Sequence, residues 1–260
     1  MTDRTQAFND LAGAYSRARP GYPELLWAAL RTRLDGRSVP RLAVDVGSGT
    51  GIATRQLALA LPEWRIVGVE PGEAMRTQAV SDSRGAAVEF RVGTAEDLPL
   101  EDSSAGLVIA AQALHWFDHP RFYTEARRVL APGGVIGIIQ NDRALEELVL
   151  FEDYESFLEE HSPGYTRDYR SFDVVAELAE AGFDDVSRNA TEWTRPLTHE
   201  QFIELAQSSS KMHAAVEQLG EEETTRRLRA LLEHHHPSGQ LEIPYVSELF
   251  TGQHHDDLGE

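Results

Sequence analysis

The sequence contains no cysteine, a single lysine and no long apolar run. Without cysteine the chain has no disulfide framework, no thiolate metal ligand and no cysteine nucleophile. Because Lys211 is the one lysine among 24 basic residues, a catalytic lysine has almost no candidate. No segment reaches the ~18 consecutive apolar residues of a membrane helix, and the first residues lack the apolar run of a signal peptide. We therefore expect a cytoplasmic protein.

Acidic residues outnumber basic ones by 43 to 24, which gives a formal net charge of -19. DNA, RNA and phospholipid surfaces attract basic faces, so we expect neither a nucleic acid nor a membrane partner. A chain of 260 residues suits one α/β domain with a buried core. We predict a single domain over 1–260, with an N-terminal helical cover at 1–36, a core at 37–140, and insertions and final strands at 141–260.

Short apolar runs alternate with helical patterns through the first half of the chain. The runs are Leu42–Val46, Arg65–Val69, Val88–Val92, Leu107–Ala110 and Val135–Ile139. Buried strands separated by helices predict a doubly wound, Rossmann-like, mostly parallel sheet with helices on both faces. Ligands bind such sheets at the carboxyl ends of the strands, where Asp45, Glu70, Glu96 and the segment 110–116 fall.

The second half predicts two more strands and a helical cover. One strand lies within 183–197, and an alternating strand at 241–250 is expected at the sheet edge, which brings the sheet to seven strands. Thr198 and Gln201 form a capping-box pattern that begins a helix. The tract His234–His236 is expected to be a solvated helix end, and we expect no metal.

The segment Asp45–Gly51 carries the strongest functional signal. Glycines after a strand permit positive φ and close approach of a ligand, and the following helix offers free amides. A dinucleotide fingerprint requires a small residue three positions after Gly49, where this chain has Ile52, and a Walker loop requires a lysine. A leading carboxylate is a poor neighbour for pyrophosphate and suits a ligand with an ammonium and a sulfonium. Nucleotide binding is therefore predicted, and the dinucleotide and Walker patterns are absent.

Five blocks of the sequence resemble the class I S-adenosylmethionine-dependent methyltransferases, in the order that the family has. They are Asp45–Gly51, Val69–Met75, Gly93–Pro99, Ala113–Phe117 and Leu130–Gly134. The resemblance is closest over residues 5–140. Within this class the chain is similar to small-molecule methyltransferases of the trans-aconitate methyltransferase kind, through Tyr15–Pro23, Leu114–Phe117 and Ile243–Tyr245.

The resemblance implies S-adenosylmethionine as cofactor and in-line transfer of its methyl group to a small-molecule acceptor. Asp45 is expected to face the ammonium of the cofactor, Glu70 its ribose hydroxyls, and Met75 its adenine. The implied cofactor contacts are Tyr15, Arg19, Tyr22, Asp45, Gly47, Ser48, Gly49, Thr50, Glu70, Pro71, Met75, Thr94, Ala95, Glu96, Ala111, Gln112, His115 and Trp116. Whether oxygen, nitrogen or carbon is methylated stays open.

His115 is the candidate catalytic base, needed only if the acceptor carries a proton of high pKa. The alternative, a histidine that orients its loop, is favoured. The implied acceptor contacts are Trp116, Tyr165, Arg167 and Tyr169. Arginines in an acidic chain suit an anionic acceptor, but a polar surface loop is the favoured interpretation of the 165–170 segment.

Three other functions stay open. One is a nucleic-acid or protein methyltransferase, although the net charge of -19 makes long RNA or DNA an unattractive substrate. A repurposed member of this class would bind S-adenosylmethionine without moving a methyl group. A nicotinamide-dependent oxidoreductase is the less favoured alternative, because Ile52 interrupts its fingerprint.

Overall fold

The structure is a computed structural model that describes residues 12–13, 15–144, 149–166 and 172–255. Arg167 and Tyr169, two of the expected acceptor contacts, lie outside the described residues. The elements follow in the order α1 (Glu24–Leu34), β1 (Leu42–Val46), α2 (Ile52–Ala60), β2 (Arg65–Val69), α3 (Glu73–Asp82), β3 (Val88–Arg91), β4 (Ala105–Ala111), a 3-10 helix (Leu114–Trp116), α4 (His119–Val129), β5 (Leu130–Arg143), α5 (Val149–His161), α6 (Val174–Glu180), β6 (Asp184–Thr198), α7 (His199–Gln207), α8 (Ser210–Leu219), α9 (Glu221–His235) and β7 (Gln240–Gln253).

The seven strands form one sheet in the order β3-β2-β1-β4-β5-β7-β6. The pairs β3–β2, β2–β1, β1–β4 and β4–β5 are parallel. Val46 pairs with Val69, and Asp45 pairs with Ile109 on the other side. The carboxyl ends of β1, β2 and β4 therefore meet at one edge of the sheet. The prediction of a doubly wound, mostly parallel seven-stranded sheet is confirmed.

The position of β7 corrects one expectation, because this strand lies between β5 and β6 and β6 forms the edge. The amide of Gly133 donates to the carbonyl of His254, and the amide of Ala144 donates to that of Pro244. Residue numbers at these bonds run in opposite directions, so β7 is antiparallel to β5. Alternating exposure shows only that the two faces of a strand differ, which holds for an internal antiparallel strand as much as for an edge strand.

Capping hydrogen bonds and a proline set the ends of several helices. The Asp118 carboxylate caps α4 by accepting from the amide of Arg121, and Pro120 occupies the first turn. The predicted capping box of α7 is confirmed, since Thr198 and Gln201 satisfy each other's backbone amides. The α9 helix ends at His235, whose Nε2 lies 2.8 Å from an Asp153 oxygen. In the described part of the chain no three His, Asp or Glu side chains are grouped to hold a metal ion.

The chain divides into two compact units. The sheet unit comprises Gly21–Asn141, Phe172–Thr191 and Ser247–Glu260, and its core is built from the apolar strand residues and the inner faces of α1, α2, α4 and α6. The helical unit comprises Met1–Pro20, Asp142–Ser171 and Glu192–Val246, and its core is built largely from α5, α7, α8 and α9. The single domain with boundaries after residues 36 and 140 stays a prediction. Within the described residues, no helix has the length and apolarity to cross a membrane.

Candidate functional site

The glycine loop leaves β1 through three residues with positive φ: Gly47 at +67°, Gly49 at +54° and Gly51 at +77°. The amides of Gly47 and Ser48 both donate to the carbonyl of Val69, at 2.8 and 3.1 Å, which holds the loop against the end of β2. A Cβ on Gly47 would stand 2.7 Å from the Cβ of Ala113, whereas a Cβ on Gly49 would meet nothing within 4 Å. The loop is thus closely packed at Gly47 and open at Gly49.

Three buried oxygens in and before this loop have no hydrogen-bond partner in the described structure: Asp45 Oδ1, Ser48 Oγ and Thr50 Oγ1. Asp45 is 1% exposed, and its other carboxylate oxygen accepts from the hydroxyl of Thr54 at 2.6 Å. Buried polar atoms are nearly always hydrogen-bonded, since an unpaired one costs about 1–3 kcal/mol. Three of them on one short segment point to a polar ligand that supplies their partners.

Two desolvated carboxylates lie at this edge of the sheet. Burial raises the pKa of Asp45 to about 7, a rise that the Thr54 hydrogen bond opposes and the neighbouring Glu70 increases. Burial also raises the pKa of Glu70, against the effect of the Gly72 and Gly49 amides that donate to it. Because both groups are costly to ionise alone, a cation beside them is stabilised.

Glu70 connects the glycine loop to the start of α3. Its Oε2 accepts from the Gly49 amide at 3.0 Å, and its Oε1 accepts from the Gly72 amide at 2.8 Å. Each carboxylate oxygen accepts more than one hydrogen bond, so Glu70 has capacity left for hydroxyl donors. Met75 of α3 is buried, and the exposed Pro71 accepts from the Arg76 guanidinium through its carbonyl.

The segments after β3 and β4 complete this edge of the sheet unit. Ala95 is buried, Thr94 pairs with Asp97, and the Glu96 carboxylate accepts from the Asp118 amide at 2.9 Å. Gln112, which follows the half-buried Ala111, adopts a φ of +55° that is unusual for a residue other than glycine. The 3-10 helix then presents His115 against Trp116, with ring centroids 5.0 Å apart, and Trp116 is 43% exposed.

Comparison with known proteins places this geometry in a family. A family model described as "Methyltransferase domain" matches residues 44–138. A methyltransferase of Mycobacterium tuberculosis, named as uncharacterized, is 34% identical over 257 residues, with 94% of each chain covered. This chain belongs to the class I S-adenosylmethionine-dependent methyltransferases.

Solved structures agree with the fold of this methyltransferase. A protein of Anaeromyxobacter dehalogenans, named as a type II methyltransferase, superposes with a TM-score of 0.65 at 25% identity, with 91% of this chain and 97% of that chain covered. Phosphoethanolamine N-methyltransferase 2 of Haemonchus contortus, solved with S-adenosyl-L-methionine, gives a TM-score of 0.51 at 18% identity, with 88% of this chain and 52% of that chain covered. The second likeness concerns the fold alone.

The residues of the methyltransferase fit its cofactor, S-adenosylmethionine. The unpartnered oxygens of Asp45, Ser48 and Thr50 offer acceptors to an ammonium, and the open side of Gly49 admits a ligand against the backbone. Asp45 and Glu70 supply negative charge for a cationic ligand. The loop contains no lysine, and S-adenosylmethionine carries no phosphate group for a lysine to bind.

The site residues predicted from the sequence of the methyltransferase belong to two different units. The sheet unit brings together the predicted cofactor residues from Tyr22 onward, and Tyr22 is fixed by Gln56, whose side chain bonds its amide and its carbonyl at 2.9 and 3.0 Å. Tyr15, Arg19 and Tyr165 belong to the helical unit. There the Arg19 guanidinium lies over the Tyr15 ring at 4.9 Å.

Thr54 was not among the site residues predicted from the sequence of this methyltransferase. Thr54 is fully buried on the inner face of α2, between the apolar Ala53 and Leu57, and its hydroxyl fixes the Asp45 carboxylate. A polar residue on an otherwise apolar helix face was the available signal. The ring of Phe90, which would collide with a Cβ on Gly51 or Gly68, gave no such signal because it reads as an ordinary strand residue.

Proposed function

We propose that this methyltransferase transfers a methyl group from S-adenosylmethionine to a small-molecule acceptor, mainly by alignment of the reactants and exclusion of water. The observation that carries the proposal is the set of three buried, unpartnered oxygens beside the opening at Gly49. When bound, the cofactor supplies an electrophilic methyl group on a sulfonium. An acceptor such as a carboxylate needs no base, whereas an acceptor of high pKa needs one.

The cofactor-binding assignments follow from the chemistry of each group. Asp45 accepts from the ammonium, and Glu70 accepts from the ribose hydroxyls through the lone pairs that Gly49 and Gly72 leave available. Met75 packs on the adenine. The remaining proposed contacts of the sheet unit are Tyr22, Gly47, Ser48, Thr50, Pro71, Thr94, Ala95, Glu96, Ala111, Gln112, His115 and Trp116.

The acceptor side has three proposed contributors in the described chain. Trp116 offers an exposed aromatic face, which attracts a cation such as the sulfonium of the cofactor by about 0.5–2 kcal/mol. His115 either holds the proton of an acceptor that must lose one or orients the 3-10 helix. Tyr165 of the helical unit is the third contributor.

Calorimetry with S-adenosylhomocysteine tests the proposal. We expect Glu70→Ala to weaken binding by about 1–3 kcal/mol, since charge-assisted hydrogen bonds to the ligand are lost. Glu73→Ala is the matched control, because Glu73 is an exposed acid three residues later and its loss should leave the affinity unchanged. Circular dichroism of both variants establishes that they are folded. Absence of binding to the wild-type protein at millimolar ligand would refute the proposal.

Methyl transfer itself requires a separate measurement, because a repurposed protein of this class would pass the binding test. The wild-type protein is incubated with S-adenosylmethionine and a library of metabolites, and products are followed by mass spectrometry. We expect one acceptor class to gain the mass of a methyl group together with formation of S-adenosylhomocysteine. Binding of the cofactor with no methylated product across the library would favour the repurposed alternative.

A further inference from the structure

Arg143, the last residue of β5, lies among aromatic side chains of the helical unit. Its guanidinium carbon is 5.4 Å from the ring centroid of Phe151 and 5.5 Å from that of Tyr154. Both rings are 1% exposed, so they are fixed parts of the core. Arg143 itself is not closed off to the same degree, since the residue keeps an intermediate exposure.

The charge of Arg143 is not neutralised by an ion pair in the described part of the chain. Glu155 is the acid near it, and this carboxylate accepts from the hydroxyl of Tyr165. Burial lowers the pKa of Arg143, and the surrounding Tyr154, Tyr245 and Glu155 raise it by more, so the group stays a cation. A desolvated guanidinium without a bonded carboxylate is costly, and an anionic ligand removes that cost.

One more cation and two more rings of the same unit lie near this position. Arg19 lies close enough to Tyr154 to lower its pKa, although burial raises that pKa overall, and its Nε donates to the Ser208 hydroxyl at 3.2 Å. Trp193 stacks on Tyr245, with centroids 4.8 Å apart and planes 16° apart. In a chain of net charge -19, positive groups among large apolar rings are suited to an organic anion with an apolar body.

We propose that Arg143 binds a carboxylate of the methyl acceptor, and that the apolar body of the acceptor lies against the aromatic rings of the helical unit. The planar fork of a guanidinium matches a carboxylate with two parallel hydrogen bonds, which a point charge does not. The inference rests on the proposed function, since it names the class of acceptor: a small organic acid with an apolar or aromatic body. The carboxylate of the cofactor is the other possible source of the same chemistry, and the test separates the two.

The first arm measures binding of benzoate and of benzamide, its uncharged analogue of the same shape, to the wild-type protein saturated with S-adenosylhomocysteine. We expect benzoate to bind at least about tenfold more tightly than benzamide. Arg143→Met should remove that preference, and Arg143→Lys should restore part of it. Arg229→Met is the control, because Arg229 is a surface arginine of α9 that pairs with Glu200 at 2.9 Å, and it should bind benzoate as the wild type does.

Equal binding of benzoate and benzamide, no binding of benzoate, or an unchanged preference in Arg143→Met would each overturn the proposal. Should Arg143→Met fail to fold by circular dichroism, the wild-type comparison and Arg143→Lys decide. The second arm measures the affinity of each variant for S-adenosylhomocysteine. An unchanged affinity assigns the carboxylate to the acceptor, whereas a loss of about tenfold would assign it to the cofactor and overturn the proposal. A wild type that binds benzoate but not S-adenosylhomocysteine would refute the proposed function instead.

Discussion

Asp45 is a carboxylate that the fold makes expensive to ionise. Its pKa rises from an ordinary 3.8 to about 7, chiefly through burial. Between these two values the folded protein holds a proton that the unfolded chain has released. The free energy of unfolding therefore falls as the pH rises from about 4 to about 7, and the stability that the neutral carboxyl contributes is lost above that range.

Asp45→Asn should accordingly stabilise the protein. The amide keeps an acceptor for the Thr54 hydroxyl and carries no charge, so we expect the gain over wild type to grow from about 1–2 kcal/mol at pH 5 to about 4 kcal/mol at pH 8. Chemical unfolding at both pH values measures the difference. The same variant should bind S-adenosylhomocysteine less tightly, since the proposed partner of the ammonium is neutral. A gain that is the same at both pH values would contradict the assignment.

The residues that sequence analysis placed at the site are those whose identity is unusual for their position. Asp45 stands at the end of an apolar strand, and Glu70 follows the next apolar strand, so each can be recognised from the sequence alone. Thr54 and Phe90 act through packing between segments, which only the folded chain brings about. The contribution of Phe90 therefore could not be predicted from the sequence, and that of Thr54 was signalled only by a polar residue on an apolar helix face.

At the scale of elements, one carboxylate links α4 to α6. Glu177 Oε2 accepts from the Tyr123 hydroxyl at 2.9 Å and lies 2.8 Å from Nδ1 of His119. The Nε2 of His119 lies 3.1 Å from the carbonyl of Leu114, the first residue of the 3-10 helix that presents His115 and Trp116. The network thus fixes the proposed acceptor-side helix from outside the site.

A double-mutant cycle on this network has a definite expected outcome. Tyr123→Phe should cost about 1–3 kcal/mol in the free energy of unfolding, because a buried hydrogen bond to a carboxylate is lost. In a Glu177→Ala background the same change should cost much less, since the hydroxyl has already lost its partner. Glu180→Ala, an exposed acid on the same helix, is the control background and should show no coupling. Urea unfolding measures all four corners, and additive costs would contradict the link.

Strands and helices with a clear sequence periodicity could be predicted, whereas the order of the strands in the sheet was harder to predict. The apolar runs at β1, β2 and β4 admit no other assignment, because each is too short for a helix and is followed by a turn. The place of β7 depends on which strand it pairs with, and pairing over more than a hundred residues leaves no trace in local alternation. The capping box of α7, by contrast, is encoded in four consecutive residues.

At the scale of the whole molecule, the net charge of -19 governs encounters with other macromolecules. Phosphate backbones are repelled by such a surface, and non-specific nucleic-acid binding requires a basic face. We expect no retardation of duplex DNA or of structured RNA in gel-shift assays at 150 mM salt. A shift that weakens steeply as salt rises would contradict this and would reveal a basic surface.

The arginine bias also has a practical consequence. Lys211, the sole lysine of the 260 residues, lies with its Nζ 4.1 Å from the ring centroid of Tyr165 in the helical unit. Acylating reagents that target side-chain amines therefore have one reaction site on this protein. A dye attached to that side chain sits beside Tyr165, so side-chain labelling places the probe at one known position with no cysteine to introduce.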